Sequence, residues 1–251
     1  MIEERRAKIV ETVNRLGTAS FSTLMEMFPE VSEMTLRKDL KSLDGERRLV
    51  RIHGGARSLD TIYGSDMSLE QRLGQNIEKK QQIATKASAL IEENAAIFLD
   101  SGSTMVALAR CFPDIPCTIF TGGLCCANEL SHLRQAEIYM FGGRLNKASL
   151  SVRDSRLTRD MENIYFDIAF IAVNGFSTEN GFGCNSADRW EMEQTVIRRC
   201  ARTVVLMDST KVGKIRTFSI CMPEQIDTLV SDDGLSEETR TYLEQRGVEV
   251  L

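Results

Sequence analysis

A short run of small polar residues, Asp100-Ser101-Gly102-Ser103-Thr104, is the part of this sequence best suited to chemistry. It follows an apolar strand candidate at 95–99 and precedes an apolar segment that begins near Met105 and is typical of a helix. A glycine allows close backbone approach, and hydroxyl groups together with the unpaired N–H groups of a helix N-terminus bind anions. The run therefore indicates an anion site, most naturally for a phosphate, although a plain strand-to-helix turn fits the same residues.

Small polar residues also follow other predicted strands. Thr121-Gly122-Gly123 and Gly142-Gly143 end two of them, Asn174 follows a third, and Lys211 lies just past a fourth. Tight turns alone can explain paired glycines, and a solvated surface position can explain Lys211. Because the carboxyl ends of parallel strands meet at one edge of a sheet, we expect these strand ends to converge on one pocket, to which Asn174 and Lys211 add an amide and an ammonium group.

The sequence offers little for catalysis or for a metal. Its 2 His and its 7 Cys, which form no CxxC pair, argue against a zinc site and against a Ser-His-Asp or Cys-His hydrolase. We therefore expect reduced thiols, no metal and no cofactor. A sugar-phosphate isomerase is the enzymatic alternative, with Asp100, Asp208, Glu191 and Lys211 as acid, base and phosphate anchor, although Glu191 near a helix start also favours the helix dipole.

Charge is unevenly distributed along the chain, whose formal net charge is −5. Residues 1–57 carry 11 Lys and Arg against 9 Asp and Glu, whereas the remainder carries 20 against 27. The basic residues of segment 35–57 are Arg37, Lys38, Lys41, Arg47, Arg48, Arg51 and Arg57. A local basic strip on an acidic protein suits a polyanionic partner, although a solvated helix face would carry the same charges.

Helical spacing near the N-terminus predicts a helix-turn-helix. Apolar residues recur at helical spacing in residues 2–16, and Ser20 can N-cap a second, short helix. Ser32 can N-cap a third helix. The buried stripe of that helix would consist of Leu36, Leu40 and Leu43. A longer helix followed by two short helices joined by a tight turn is the outline of a helix-turn-helix.

The third predicted helix carries side chains that can bind a DNA groove. If its leucines face inward, Thr35, Arg37, Lys38 and Lys41 point outward or to the flanks. Arg reaches guanine O6 and N7, while Thr, Ser and Lys reach phosphates or base edges. We therefore assign these four residues and Ser32 to contacts with double-stranded operator DNA.

The segment after Gly45 predicts a β-ribbon wing. Leu49-Val50-Arg51-Ile52-His53-Gly54-Gly55-Ala56-Arg57 combines apolar strand residues with a pair of glycines suited to a turn. A wing of this kind would place Arg51, His53 and Arg57 beside the DNA backbone.

These motifs resemble the DeoR family of bacterial transcriptional regulators. Ser32-x-x-Thr35-Leu36-Arg37-Lys38-Asp39-Leu40 and the wing match almost residue for residue, with Arg37-Lys38 in place of the commoner Arg-Arg pair. The resemblance implies that Asp39 fixes the helix or a basic neighbour rather than contacting a base. It also extends through Glu78-Lys79 with Ile83-Ala84, the loop 99–104, Gly142-Gly143 and the segment 208–213.

The resemblance implies a function for the C-terminal part as well. That domain would be similar in fold to ribose-5-phosphate isomerase, and the whole chain would be a repressor of sugar-metabolism genes controlled by a phosphorylated sugar. The effector pocket would be lined by Asp100, Ser101, Gly102, Ser103, Thr104, Thr121, Gly122, Gly142 and Lys211. Ser103 stands where the family usually has Thr, Gly122-Gly123 replaces Asn-Ser, and a Gly common in the family is absent near Val152-Arg153-Asp154.

Beyond residue 74, the sequence predicts a helix over 75–94 and strands at 95–99, 117–121, 137–141, 167–173, 203–208 and 226–230. Helix candidates separate most of these strands, which predicts a mostly parallel sheet covered on both faces. We therefore predict an α/β protein with a winged helix-turn-helix domain at 1–57, a linker at 58–74 and a larger effector-sensing α/β domain at 75–251. No apolar stretch reaches bilayer length and the N-terminus lacks a signal-like apolar region, so we expect no membrane contact and a cytoplasmic location. We also expect a homo-oligomer, a dimer or higher, that binds two DNA half-sites.

Overall fold

The structure, a computed structural model, describes residues 2–46, 48–58 and 68–251. The chain divides into two compact units, Met1–Asp66 with Gly213–Ile215, and Met67–Val212 with Arg216–Leu251. Much of the predicted linker 58–74 lies outside the described residues, since 59–67 are not described. The domain boundaries at 57 and 75 therefore stay predictions.

The first unit is a winged helix-turn-helix, as the sequence predicts. Its elements are α1 (Ile2–Leu16), β1 (Thr18–Ser20), α2 (Phe21–Met27), α3 (Glu33–Gly45), β2 (Val50–Ile52) and β3 (Gly55–Arg57). The predicted N-caps are confirmed, because Ser20 and Ser32 accept hydrogen bonds from the backbone N–H groups of Thr23 and Thr35. The leucine stripe of α3 packs in the core of this unit with residues of α1 and the wing.

Strand β1 was not predicted from the sequence. It pairs antiparallel with β3, so that Ala19 lies opposite Ala56 and both are buried. Gly17, with φ of 71°, ends α1 in the left-handed conformation that favours glycine and turns the chain into this strand. A strand of three residues has too little alternation to stand out in a sequence.

The second unit is an α/β domain built on a parallel sheet. Its helices are α4 (Leu69–Leu73), α5 (Ile77–Ser88), α6 (Ser103–Arg110), α7 (Leu124–Leu130), α8 (Ser155–Met161), α9 (Ala187–Arg198) and α10 (Glu237–Glu244). Its strands are β4 (Ala96–Leu99), β5 (Cys117–Thr121), β6 (Ala136–Met140), β7 (Arg144–Asn146), β8 (Ser151–Arg153), β9 (Phe166–Ala172), β10 (Gly175–Ser177), β11 (Gly181–Cys184), β12 (Cys200–Leu206), β13 (Phe218–Cys221), β14 (Thr228–Val230) and β15 (Glu249–Val250).

The central sheet has the strand order β15-β14-β12-β9-β4-β5-β6, and each neighbouring pair is parallel. From β4 the chain first adds strands on one side, through β5 to β6, and then continues with β9 on the other side. The direction of winding therefore reverses between β4 and β9. Open α/β sheets bind ligands at such a switch point, beyond the carboxyl ends of the strands.

Both faces of the sheet are covered, as predicted. In β4, Ile97 and Leu99 belong to one core with α5 and α6. Phe98 points to the opposite face and belongs to a second core, to which α9 and α10 contribute. Burial on both faces explains why these strands appear in the sequence as continuous apolar runs rather than as alternating patterns.

Smaller antiparallel elements border the main sheet and were not predicted. Strands β10, β11 and β13 form one such sheet, and β7 pairs with β8 in a hairpin. Their strands are three or four residues long, so they lack the length that makes a strand evident in a sequence.

Candidate functional site

Helix α3 presents a polar face opposite its buried leucines. Ser32 Oγ accepts a hydrogen bond from the backbone N–H of Thr35 at 3.2 Å, which fixes the start of the helix. Arg37, Lys38 and Lys41 are exposed, and Thr35 is half-buried. The helical repeat that buries the leucines therefore displays the residues predicted to contact DNA.

The Arg37 side chain is oriented without being buried. Its guanidinium carbon lies 4.4 Å from the centre of the Phe21 ring, and its Nη2 lies 3.6 Å from Glu33 Oε2. The side chain is still 64% exposed. The cation–π contact and the ion pair restrict its conformations while leaving its donors accessible to a partner. The sequence did not indicate this role of Phe21 and Glu33.

The wing is a tight hairpin whose cations are exposed. Arg51, His53 and Arg57 are all exposed, and Gly54, with φ of 79°, makes the turn between β2 and β3. A Cβ on Gly55 would lie 2.2 Å from the carbonyl oxygen of Ala19, so β1 leaves no room for a side chain there. Arg37, Arg51 and His53 line a common concavity between α3 and the wing.

Not every basic residue of the predicted strip is displayed in this way. Arg48 lies 3.9 Å from Glu3 and 3.6 Å from Glu46 and is half-buried. Arg47 lies outside the described residues. The strip is therefore divided between cations on the exposed face and a cation that pairs with acids of its own unit.

Asp39 has the structural role that the resemblance implies. Its side chain is 4% exposed and accepts hydrogen bonds from Nε of Arg5 at 2.7 Å and from Nε of Arg6 at 2.9 Å. Burial raises the pKa of the Asp39 carboxyl, but the hydrogen bonds and charges of the two arginines outweigh it and hold the pKa below its usual value. Asp39 thus joins α1 to α3, and its carboxylate does not lie on the exposed face of α3.

In the second unit, a cavity lies where the carboxyl ends of β4, β9 and β12 meet. The turn after β4 brings Ser101 and Gly102 to the start of α6. Gly102 has φ of 129° and occupies the N-cap position without a side-chain hydrogen bond to the helix, so first-turn N–H groups of α6 are available for a ligand. We call this the cationic cavity, and its lining includes Arg72, Lys80, Ser101, Gly102, Ser103, Thr104, Asn174, Asp208 and Lys211.

Lys80 of α5 is the cation of this cavity that is most withdrawn from water. Its Nζ donates hydrogen bonds to the carbonyl oxygens of Arg72, at 2.5 Å, and of Gln75, and the residue is 7% exposed. Burial lowers the pKa of Lys80; the charge of Asp208 opposes this, and those of Lys211 and Arg72 add to it. The electrostatic repulsion among these cations decreases when an anion binds between them.

Asp100 is held in place by hydrogen bonds from the protein itself. Its Oδ2 accepts hydrogen bonds from the backbone N–H of Ala172 at 3.1 Å and from Nη2 of Arg189 at 3.0 Å. Arg189 also donates to Asn174 Oδ1 at 2.9 Å and to the carboxylate of Glu193. The group therefore ties the ends of β4 and β9 to the first turns of α9.

A second cavity adjoins the first, and the two share Ser101 and Arg189 as lining residues. We call it the acidic cavity. Its lining includes Asp100, Ser101, Gly122, Ser151, Asp154, Thr158, Asp188 and Arg189.

The structure thus brings most of the predicted effector residues together. Ser101, Gly102, Ser103, Thr104, Asn174 and Lys211 line the cationic cavity, and Asp100 and Gly122 line the acidic cavity. Thr121 and Gly142 line neither cavity in the described part of the chain: Thr121 is fully buried and its Oγ1 accepts a hydrogen bond from the N–H of Gly123, and Gly142 is exposed.

Sequence reasoning missed Arg72, Lys80 and Arg189. Each belongs to a helix or turn that is far along the chain from residues 100–104, and each carries a charge that on a helix surface is ordinary. A sequence signal exists only for Lys80, which follows Glu78-Lys79 of the family motif but was not singled out.

The acids of the alternative isomerase are not gathered for catalysis. Asp208 N-caps the 3₁₀ turn Ser209–Lys211 and accepts a hydrogen bond from the N–H of Thr210 at 3.1 Å. Glu191 is exposed and lines neither of the described cavities. Asp100 is already paired with Arg189. Within the described ranges, the side chains also form no group of three His, Cys, Asp or Glu residues that could bind a metal ion, and no helix there has both the length and the apolar character needed to cross a bilayer.

The fold and the two sites define a winged helix-turn-helix protein that carries a separate α/β domain with a cation-lined cavity at one edge of its sheet. Residues 5–62 match the family model of the DeoR-like helix-turn-helix domain, and residues 75–233 match that of the DeoR C-terminal sensor domain. The chain belongs to the DeoR family, and it is a DNA-binding transcriptional regulator rather than an enzyme.

Full-length relatives agree with this assignment. The chain is 31% identical over 252 residues to the uncharacterized HTH-type transcriptional regulator YulB of Bacillus subtilis, covering 100% of this chain and 96% of that protein. It is 29% identical to the HTH-type transcriptional repressor GlcR of the same organism, over 99% of this chain and 95% of the relative. Among solved structures, ribose 5-phosphate isomerase A from Methanocaldococcus jannaschii is similar with a TM-score of 0.40 and 16% identity, over 55% of each chain.

Proposed function

We propose that the protein is a cytoplasmic repressor of sugar-metabolism genes. A phosphorylated sugar controls its affinity for operator DNA. The names of two relatives support the assignment to sugar metabolism. They are the lactose phosphotransferase system repressor of Streptococcus mutans, 31% identical over 92% of this chain, and the repressor of the same name from Staphylococcus aureus, 28% identical over 96% of this chain.

One observation carries the effector assignment. The N-terminal turn of α6 meets Lys80, Lys211 and Arg72 in the cationic cavity, at the switch point of the sheet. Helix N–H groups and several cations in one cavity form a receptor for a doubly charged anion such as a phosphate monoester. Hydroxyl groups of Ser101, Ser103 and Thr104 supply further hydrogen bonds.

On the DNA side, α3 would enter the major groove. Arg37, Lys38 and Lys41 would contact base edges and phosphates with Ser32 and Thr35 at the helix start. Arg51, His53 and Arg57 of the wing would contact the backbone. A homo-oligomer, at least a dimer, would present two such helices to two DNA half-sites. The effector would change how well the two helices match the two half-sites simultaneously.

The test combines a thermal-shift screen with operator binding. Inorganic phosphate and a set of hexose and pentose monophosphates should raise the melting temperature, and the binder should change the affinity for an operator selected from random DNA by the wild-type protein. Lys211→Ala should lose the melting shift while it retains operator binding without ligand. Lys147→Ala, an exposed lysine in the same unit that lines neither described cavity, serves as the matched control. A screen in which no phosphate compound alters either property would contradict the proposal.

A further inference from the structure

The two adjoining cavities differ in electrostatic character. The cationic cavity carries Arg72, Lys80 and Lys211 against one carboxylate, that of Asp208. The acidic cavity carries the carboxylates of Asp100, Asp154 and Asp188. Ser101 and Arg189 line both cavities, so the two cavities lie side by side.

Arg189, the cation of the acidic cavity, is already engaged. Its Nη2 donates to Asp100 Oδ2, to the carbonyl oxygen of Ala172 at 2.7 Å and to Glu193, and its Nη1 donates to Asn174. The guanidinium therefore compensates carboxylates of its own group. An anion entering the acidic cavity would meet the charges of Asp154 and Asp188 without gaining Arg189 as a new partner.

The acidic cavity favours a ligand end that donates hydrogen bonds. Asp100 itself is not a free acceptor, because its side chain is 0% exposed and shares a hydrogen bond with the buried carboxyl of Glu193. The carboxylates of Asp154 and Asp188 attract a ligand that brings a hydroxyl or ammonium donor. The hydroxyl groups of Ser151 and Thr158 on the same cavity wall can pair with the same kind of ligand.

We propose that the effector lies across both cavities, with its phosphate in the cationic cavity and an uncharged or cationic, donor-bearing end in the acidic cavity. The site then selects sugar monophosphates, including amino-sugar phosphates, and excludes bisphosphates and phosphorylated sugar acids. Exclusion follows because a second anionic group would lie among the like charges of Asp154 and Asp188. This inference rests on the proposed effector function and adds which sugar phosphates the site accepts.

The experiment compares ligands that share one phosphate and differ at the far end. Fructose 6-phosphate is paired with fructose 1,6-bisphosphate, and glucose 6-phosphate is compared with glucosamine 6-phosphate and with 6-phosphogluconate. Calorimetric titration of the full-length protein should show that fructose 6-phosphate, glucose 6-phosphate and glucosamine 6-phosphate, which have no second anionic group, bind at least about tenfold more tightly than the bisphosphate or 6-phosphogluconate in the same set.

A variant then assigns the selectivity to the cavity. Asp188→Asn should reduce the ratio of the bisphosphate dissociation constant to the monophosphate dissociation constant by about threefold or more, because it removes one of the repelling carboxylates. Glu92→Gln is the control, since Glu92 is an exposed acid before β4, at the opposite edge of the sheet, and it should leave the ratio unchanged.

The possible failures are distinguishable. If bisphosphates bind as well as monophosphates, or if Asp188→Asn leaves the ratio of the wild type unchanged, the selectivity inference is wrong while sugar-phosphate control stands. If neither these compounds nor inorganic phosphate bind, the proposed effector function fails, and the inference fails with it.

Discussion

Arg189 and Asp100 form a buried ion pair, with Nη2 of the arginine 3.0 Å from Oδ2 of the aspartate and side chains that are 13% and 0% exposed. The arginine belongs to the first turn of α9, and the aspartate follows β4, 89 residues earlier. The pair therefore fixes the edge of the sheet on which both cavities are built.

Replacing Arg189 should be costly for stability. Arg189→Leu leaves Asp100 and Glu193 buried without their cation, so we expect the free energy of unfolding to fall by about 3–5 kcal/mol. Urea denaturation followed by circular dichroism measures this change. Arg110→Leu is the control, because the ion pair of Arg110 with Glu129 is largely exposed and should contribute about 0–1 kcal/mol. Equal losses in the two variants would show that Arg189 has no special structural role.

Glu193 should make the stability of the protein depend on pH. Burial raises the pKa of its carboxyl well above 4.5; the charge of Arg189 opposes this rise, and the charge of Asp100 adds to it. Since the folded pKa lies above the unfolded pKa, the contribution is full below about pH 4.5 and is lost as the pH rises through the folded value.

Glu193→Gln keeps the shape of the protonated acid and cannot lose a proton. The variant should therefore gain stability relative to the wild type as the pH rises from about 5 to 8, which urea denaturation at several pH values measures. Identical pH slopes for the two proteins would mean that Glu193 titrates normally.

Asp39 should have the opposite pH dependence. Its folded pKa lies below the ordinary 3.8, so its stabilising contribution is present above that value and is lost as the pH falls through the folded pKa. Asp39→Asn should destabilise the first unit by about 1–3 kcal/mol at neutral pH, since Arg5 and Arg6 lose a charged acceptor. Amide hydrogen exchange in α3 measures this loss. Glu30→Gln, at an exposed acid of the same unit, should leave the exchange rates unchanged.

Arg37 should contribute directly to operator binding. Arg37→Ala should weaken binding by about 1–3 kcal/mol if the guanidinium contacts a base, as measured by fluorescence anisotropy at fixed salt. Phe21→Leu should have a smaller effect in the same direction, because it removes the ring beneath the guanidinium. Lys8→Ala, at an exposed position on α1, is the control, and an equal loss there would indicate a general charge effect.

Gly55 should not tolerate a side chain. Gly55→Ala places a methyl group 2.2 Å from the carbonyl oxygen of Ala19, so β1 and β3 must separate and the wing should lose order. We expect lower operator affinity and faster amide exchange in β3. Gly45→Ala, where a Cβ meets no atom within 4 Å, should retain wild-type binding, and the same loss in both variants would refute the packing argument.

The helix-turn-helix could be predicted from the sequence because its signals are local. N-cap serines, a leucine stripe and a glycine turn each act within a few residues. Most strands of the parallel sheet were predicted to within one to three residues, since burial on both faces gives continuous apolar runs. Helix ends were less accurate: the helix predicted over 75–94 is shorter, with α5 ending at Ser88.

The sequence by itself determined the class of the protein, because the family motifs and the alternation of strands and helices are properties of short segments. The tertiary structure decided which residues meet. Lys80, Arg189 and Asp100 come together only because β9 joins β4 on the side opposite β5, and this strand order depends on long-range packing that short segments do not specify. The same packing buries Thr121 and places carboxylates beside cations at one edge of the sheet.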